Sequence, residues 1–179
     1  MNDSKINLLE APFELSYKYK RSSGPIMSKF FEGLSQKKIF GTKSKAQKVF
    51  APAAEYDPDT REALTEIVEV GPGGTIESWS WVNSPRSHHL LKTPFAFALI
   101  KLDGADTAML HMVSDCDESD LSIGKKVLPV WSENPTEAIT DINYFILESR
   151  ATIKHLKITK NPLFILSINT QLAQQPPLF

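Results

Sequence analysis

A chain of 179 residues with 20 basic and 21 acidic side chains has room for one well-cored domain with appendages, but not for two full enzyme domains. Its net charge of −1 argues against a protein held to nucleic acid mainly by phosphate electrostatics. A single cysteine, Cys116, excludes a disulfide within the chain; the opening MNDSKINLLEAPFEL lacks the order of a secretory signal, and no apolar run approaches the roughly 20 residues that span a bilayer, so the expected compartment is the cytoplasm with no membrane partner.

Residues 1–22 carry no clean period and read as an extended arm or a short helix, with Tyr17 and Tyr19 set among basic residues. A clear signal follows. Ser23-Gly24-Pro25 starts a helix that runs to about Ser35, with Ile26, Phe30 and Leu34 on one stripe beside Met27 and Phe31. Phe30 and Phe31 on so short a helix either lid the core or form a patch that meets another protein. Two short strands come next, KIFGTK and QKVFAP, within a basic stretch where nine lysines and arginines from Lys18 to Lys48 are opposed by Glu32 alone. Lys43, Lys45 and Lys48 are the candidates here for an anion site, suited to the phosphates of a nucleotide-bearing thioester or to an acidic partner; the alternative is a solvated face. The sign then inverts through Glu55, Asp57, Asp59, Glu62, Glu66 and Glu69, so the two blocks can also pair with each other.

Leu64–Val70 and Thr75–Val82 read as strands joined by a GPGG turn. Trp79 and Trp81 share one face of the second strand, either as a stacking platform for bases or an adenine ring or as half-buried barrel aromatics. After a polar loop holding His88 and His89, PFAFALIKLD turns at Gly104 into TAMLHMV, a β-hairpin whose first arm is apolar on both faces and is therefore expected to be a central strand buried on both sides. The acidic loop SDCDESDLS lacks the glycine and closing glutamate of an EF-hand. KKVLPVW is a further strand in which Pro129 marks an edge or a bulge, and Asp141–Leu147 is the last core strand. Beyond it the sequence suggests a helix ending before Asn161-Pro162, the apolar run PLFILSI, and a polar end.

No catalytic constellation emerges. There is no Gly-x-Ser-x-Gly elbow, phosphate-cradling glycine loop or His-Glu-x-x-His helix, and GPGG is too generic to count. Asp115, Asp117, Glu118 and Asp120 around Cys116 would raise its thiol pKa and so blunt it as a nucleophile. His88, His89, His111 and His155 show no metal-ligand spacing, and His111 is most simply a semi-buried strand residue.

Taken in order, FFEGLSQKKIFGTK, KVFAP, VEVGPGGTIESWSWV, PFAFALIKLDGADTAMLHMV, IGKKVLPVW and DINYF resemble the acyl-CoA-associated OB-fold family over residues 24–146. The resemblance implies a mainly β protein: an N-terminal arm and helix (1–36), a degenerate zinc-ribbon-like β segment (37–70), a C-terminal OB-fold barrel (71–147) and an extension (148–179) without family counterpart. Family members carry two Cys-x-x-Cys knuckles where this chain has Lys43-Ser44-Lys45-Ala46 and Asp57-Pro58-Asp59-Thr60. With all four thiolates absent no zinc site is expected, and an ion-pair cluster of Lys43 and Lys45 with Asp57 and Asp59 is expected in its place, leaving the ribbon looser or ordered by a partner. The resemblance further implies a non-catalytic accessory subunit of a thiolase-like enzyme, with catalytic residues on the partner chain, Phe30 and Phe31 at the docking surface, and acyl-CoA as a shared ligand; no cofactor of its own is expected. The rival readings are an OB-fold single-strand nucleic-acid binder using the basic stretch and Trp79/Trp81, and a stand-alone acyl-CoA-binding or regulatory protein.

Overall fold

The computed structural model describes residues 12–19 and 22–151. The helix expected before Asn161-Pro162 and the run PLFILSI therefore lie outside the described residues. Helix α1 (Gly24–Ser35) begins where Pro25 fixes the first turn, although Ser23 makes no side-chain cap; the Ser22 hydroxyl accepts the Gly24 N–H instead. Its stripe sinks Phe30 and Leu34 among Ile39, Ala51, Ala53 and Val70, and Ile26, Met27 and Phe31 pack around them.

Two β units follow. Strands β1 (Ile39–Lys43), β2 (Val49–Phe50) and β3 (Glu66–Val70) form a small antiparallel sheet in the order β2-β1-β3. Strands β4 (Gly74–Val82), β5 (Phe95–Leu102), β6 (Ala108–Val113), β7 (Lys126–Trp131) and β8 (Ile142–Leu147) form a closed five-stranded barrel in the order β4-β5-β6-β8-β7. GPGG does not close a hairpin: β3 pairs with β1, whereas Gly74 opens β4 between β5 and β7. That crossing point needs glycine, because a Cβ at Gly74 would lie 2.7 Å from the Ile100 side chain and the Lys101 carbonyl. Pro129 sits beyond the two-residue β4–β7 ladder, one residue before a register shift against β8, so its missing N–H costs the barrel no β4 pairing.

The hairpin organises the barrel, with one correction. β5 is central, paired to β4 and β6, and its even-numbered residues Ala96, Ala98, Ile100 and Leu102 are buried. Its other face is not buried throughout: Phe97 and Leu99 are exposed, and Leu110 of β6 lies opposite Leu99 on the same outer surface.

The small sheet is hydrogen-bonded to the barrel at the β5–β6 turn. Ala51 N–H donates to Thr107 Oγ1 (2.8 Å), and the Thr107 hydroxyl donates back to the Ala51 carbonyl (3.0 Å). Val49 N–H donates to Asp106 Oδ2 (2.8 Å), while Asp106 N–H donates to the Val49 carbonyl (2.8 Å). From inside the sheet Thr42, fully buried, repeats the device on Ala54, accepting its N–H at 2.9 Å and donating to its carbonyl at 2.8 Å. Side-chain hydroxyls of Thr42 and Thr107 thus satisfy buried main-chain groups of this segment.

Candidate functional site

The outer face of the barrel carries a groove of about 260 Å³ along the seam between β6 and β8. One wall is Phe97, Leu110 and Met112; the other is Ile139, Thr140 and Ile142; His88, His89 and Leu90 close one end. Leu110 is 61% exposed and Ile139 40%, so the groove leaves a continuous apolar surface in water. The far wall is held by Asp141, buried at the end of the 132–141 loop, whose carboxylate accepts the N–H groups of Thr136 (2.8 Å) and Glu137 (3.0 Å).

His111 lies in this groove, 7% exposed, with its ring 5.4 Å from that of Phe145. Met112 N–H donates to its Nδ1 at 2.9 Å, which fixes a neutral ring protonated at Nε2. Burial lowers its pKa below the ordinary imidazole value, and a hydrogen bond to the main chain at Ile139 opposes that shift. His89, whose ring stands edge-on to Phe95 and Phe97, accepts the Arg86 N–H on Nδ1. Its pKa is lowered by desolvation and by the positive neighbours His88, Arg86 and Lys92. Both imidazoles are thus polar groups held neutral beside an apolar surface.

The sequence candidates fall elsewhere. Phe30 is 1% exposed, so its ring is core and cannot meet a partner in this conformation; Phe31 is half-buried against the same cluster. Trp79 and Trp81 are half-buried and pack on the core beside Ala98 and Ala96. The lysines line a sheet whose charges are matched, but with partners other than those expected. Lys45 pairs with Glu62 (2.8 Å) and Lys48 with Asp59 (3.4 Å), while Lys43 stands across from Glu66 in the β1–β3 register. Asp57 is buried and accepts the N–H groups of Asp59 (2.8 Å) and Thr60 (3.2 Å), so it shapes its own turn instead of facing a lysine. The turns at 43–46 and 57–60 share a feature: each is followed at once by a non-glycine residue of positive φ, Gln47 at 66° and Arg61 at 62°.

Cys116 lines a separate, more polar cavity of about 510 Å³ with Trp81, Ser114 and Asp115. Its thiol is pushed up to about 11, first by burial and then by Asp120, with Arg150 opposing. That leaves it protonated at neutral pH and a poor nucleophile. The loop around it is built, since Asp120 accepts both the Asp117 N–H (2.9 Å) and the Arg150 guanidinium (2.6 Å), and these bonds hold its carboxyl below the usual range. Among the described residues no group of three or more His, Cys, Asp or Glu is arranged to hold a metal ion, and no helix is long and apolar enough to cross a membrane.

The groove was missed by sequence reasoning because each wall belongs to a strand that looks like ordinary core. Its one available signal was the two-sided apolarity of PFAFALI beside LHM. Residues 67–132 match the family model for the C-terminal OB-fold domain of ChsH2. Over these residues the chain is similar to that domain. The ChsH2-type match runs from β3 through β7 and leaves α1, β1, β2 and the 139–142 wall of the groove outside it. Among solved structures the chain is similar to a protein of unknown function from the DUF35 family of Sulfolobus solfataricus. The two are 26% identical, with 60% of this chain and 78% of that one covered and a TM-score of 0.50. The Ltp2-ChsH2(DUF35) aldolase shares the fold at 18% identity, with 72% and 98% covered and a TM-score of 0.53. No curated protein matches the chain.

Proposed function

We propose that this protein is a non-catalytic accessory subunit of a thiolase-like enzyme, supporting a partner chain that holds the catalytic residues and contributing to an acyl-CoA site shared with it. The observation that carries this reading is the ChsH2-type OB-fold at residues 67–132, together with a solved aldolase in which a ChsH2 (DUF35) chain is named beside Ltp2. The lack of a usable nucleophile at Cys116 agrees with it. On this reading the small sheet is a ribbon that has lost its metal: the matched turns at 43–46 and 57–60 support that descent, and the threonine clamps and the pairs Lys45–Glu62 and Lys48–Asp59 take over what a metal would have held. The pairing of Lys45 and Lys48 with carboxylates favours this reading over the nucleic-acid alternative.

The test is affinity purification of the tagged full chain from its native host, with mass identification and sizing of the eluate. A thiolase-like chain in fixed ratio is the expected result. Elution alone, or with nucleic acid, would overturn the proposal.

A further inference from the structure

The chain exposes two apolar features that match each other. Ahead of α1, the arm at residues 12–19 reads Pro-Phe-Glu-Leu-Ser-Tyr-Lys-Tyr and is exposed throughout. Phe13, Leu15, Tyr17 and Tyr19 alternate with Glu14, Ser16 and Lys18, the period of a strand with one apolar row. Each member of that row is at least 65% exposed, so the arm holds four large apolar side chains in water. A contiguous apolar row of this kind marks an interaction segment.

The second feature is the groove beside His111, whose residues Leu110 and Ile139 are exposed as well. Its volume of about 260 Å³ falls below the roughly 300–1,000 Å³ of a small-molecule site, so it suits protruding side chains better than a free ligand. The lining is apolar with a few polar groups, Thr140 and the imidazoles among them, and an aromatic ring with a polar tip answers both. Tyr17 and Tyr19 are such rings. Charge agrees at the end closed by His89, where Lys92 Nζ lies 2.6 Å from the His89 carbonyl and suits Glu14, the neighbour of Phe13. Three aromatics at about 150 Å² each bring about 450 Å² of one arm into contact. Two arms exchanged about a two-fold axis, with the surface they cover, bury at most about 1,800 Å², the size of a standard interface.

We propose that two copies of this chain associate by exchanging these arms, residues 12–19 of each lying extended along the groove of the other, with the apolar row turned inward and Phe13 at the His89 end. Each chain gives one arm and receives one. The proposal goes beyond the accessory-subunit reading and does not depend on it.

The experiment is sedimentation equilibrium of the purified full chain over a hundredfold range of concentration. The chain of 20.0 kDa is expected to pass into a species of twice that mass. Phe13→Asp/Tyr17→Asp in the arm and Leu110→Asp in the groove, all at exposed positions, should each weaken the association at least tenfold while keeping the parent's tryptophan-monitored unfolding transition. An equimolar mixture of the two variants still offers one intact arm to one intact groove, and should associate more tightly than either variant alone. A monomer at every concentration, a dimer undiminished in either variant, or a mixture no tighter than its components would each overturn the proposal.

Discussion

Thr107→Val removes one hydroxyl and almost no volume, yet it cuts both bonds that join the Ala51 main chain to the barrel. Ala51 is 1% exposed, so water cannot readily replace them. Each bond contributes about 0.5–1.5 kcal/mol net, and a buried donor or acceptor left unsatisfied costs about 1–3 kcal/mol. The expected loss is therefore about 2–4 kcal/mol, seen as a fall in Tm of roughly 5–15 °C for a chain of this size. Thr107→Ser keeps the hydroxyl and should cost about 1 kcal/mol through the lost methyl. Urea unfolding followed by tryptophan fluorescence reads the barrel, where Trp79, Trp81 and Trp131 lie, and far-ultraviolet dichroism reads both units. Coincident transitions with Thr107→Val shifted well below Thr107→Ser are expected. A Thr107→Val loss under about 0.5 kcal/mol would show that the small sheet is held by packing and that the hydroxyl bonds contribute nothing.

Three other outcomes follow from the same residues. His111 has a folded pKa below 6.5, so the unfolded chain takes up the proton first; its contribution to stability is complete above about pH 6.5, declines as pH falls through that value, and stops declining below the folded pKa, with a slope of at most about 1.4 kcal/mol per pH unit. His111→Asn, whose Oδ1 can still accept the Met112 N–H, should flatten that decline in unfolding midpoints measured between pH 7.5 and 5; an unchanged slope would remove His111 as its source. Cys116, with its pKa near 11, should react with iodoacetamide at pH 8 about a hundredfold more slowly than an unhindered thiol of pKa 9, and Asp120→Asn should speed it; rapid alkylation of the folded protein would contradict the described surroundings. Extensive dialysis against a chelator should leave Tm unchanged, while release of one equivalent of zinc would defeat the reading of the small sheet as a ribbon without metal.

Much of this architecture was legible in the sequence. Pro25 and the Ile26–Phe30–Leu34 stripe marked the helix, and the two-sided apolarity of PFAFALIKL beside the strand read over Thr75–Val82 marked the barrel's β4–β5 pair, because period and turn chemistry are local signals. What escaped were choices made between distant segments. Alternation alone does not say whether Phe97 and Leu99 meet a covering layer or water, and here they meet water. Charge blocks announced pairing but not partners: Asp57 went to its own turn, and Glu62 took its place beside Lys45. Threonine in a strand is commonplace, so nothing marked Thr42 and Thr107 as clamps on a segment 12 and 56 residues away. The groove at His111 arises from one short ladder between β6 and β8, and register of that kind is decided by the closing of the barrel.

The clamps also impose an order of assembly. The Val49 and Ala51 bonds reach 57 and 56 residues along the chain to the β5–β6 turn, a closure that costs far more chain entropy than the turn itself, which joins adjacent strands. The hairpin must exist before Asp106 and Thr107 stand where the incoming segment can find them. The N-terminal sheet, although synthesised first, is then the last part to settle. Substitutions at Thr107 would speed unfolding and leave the folding rate of the barrel nearly untouched.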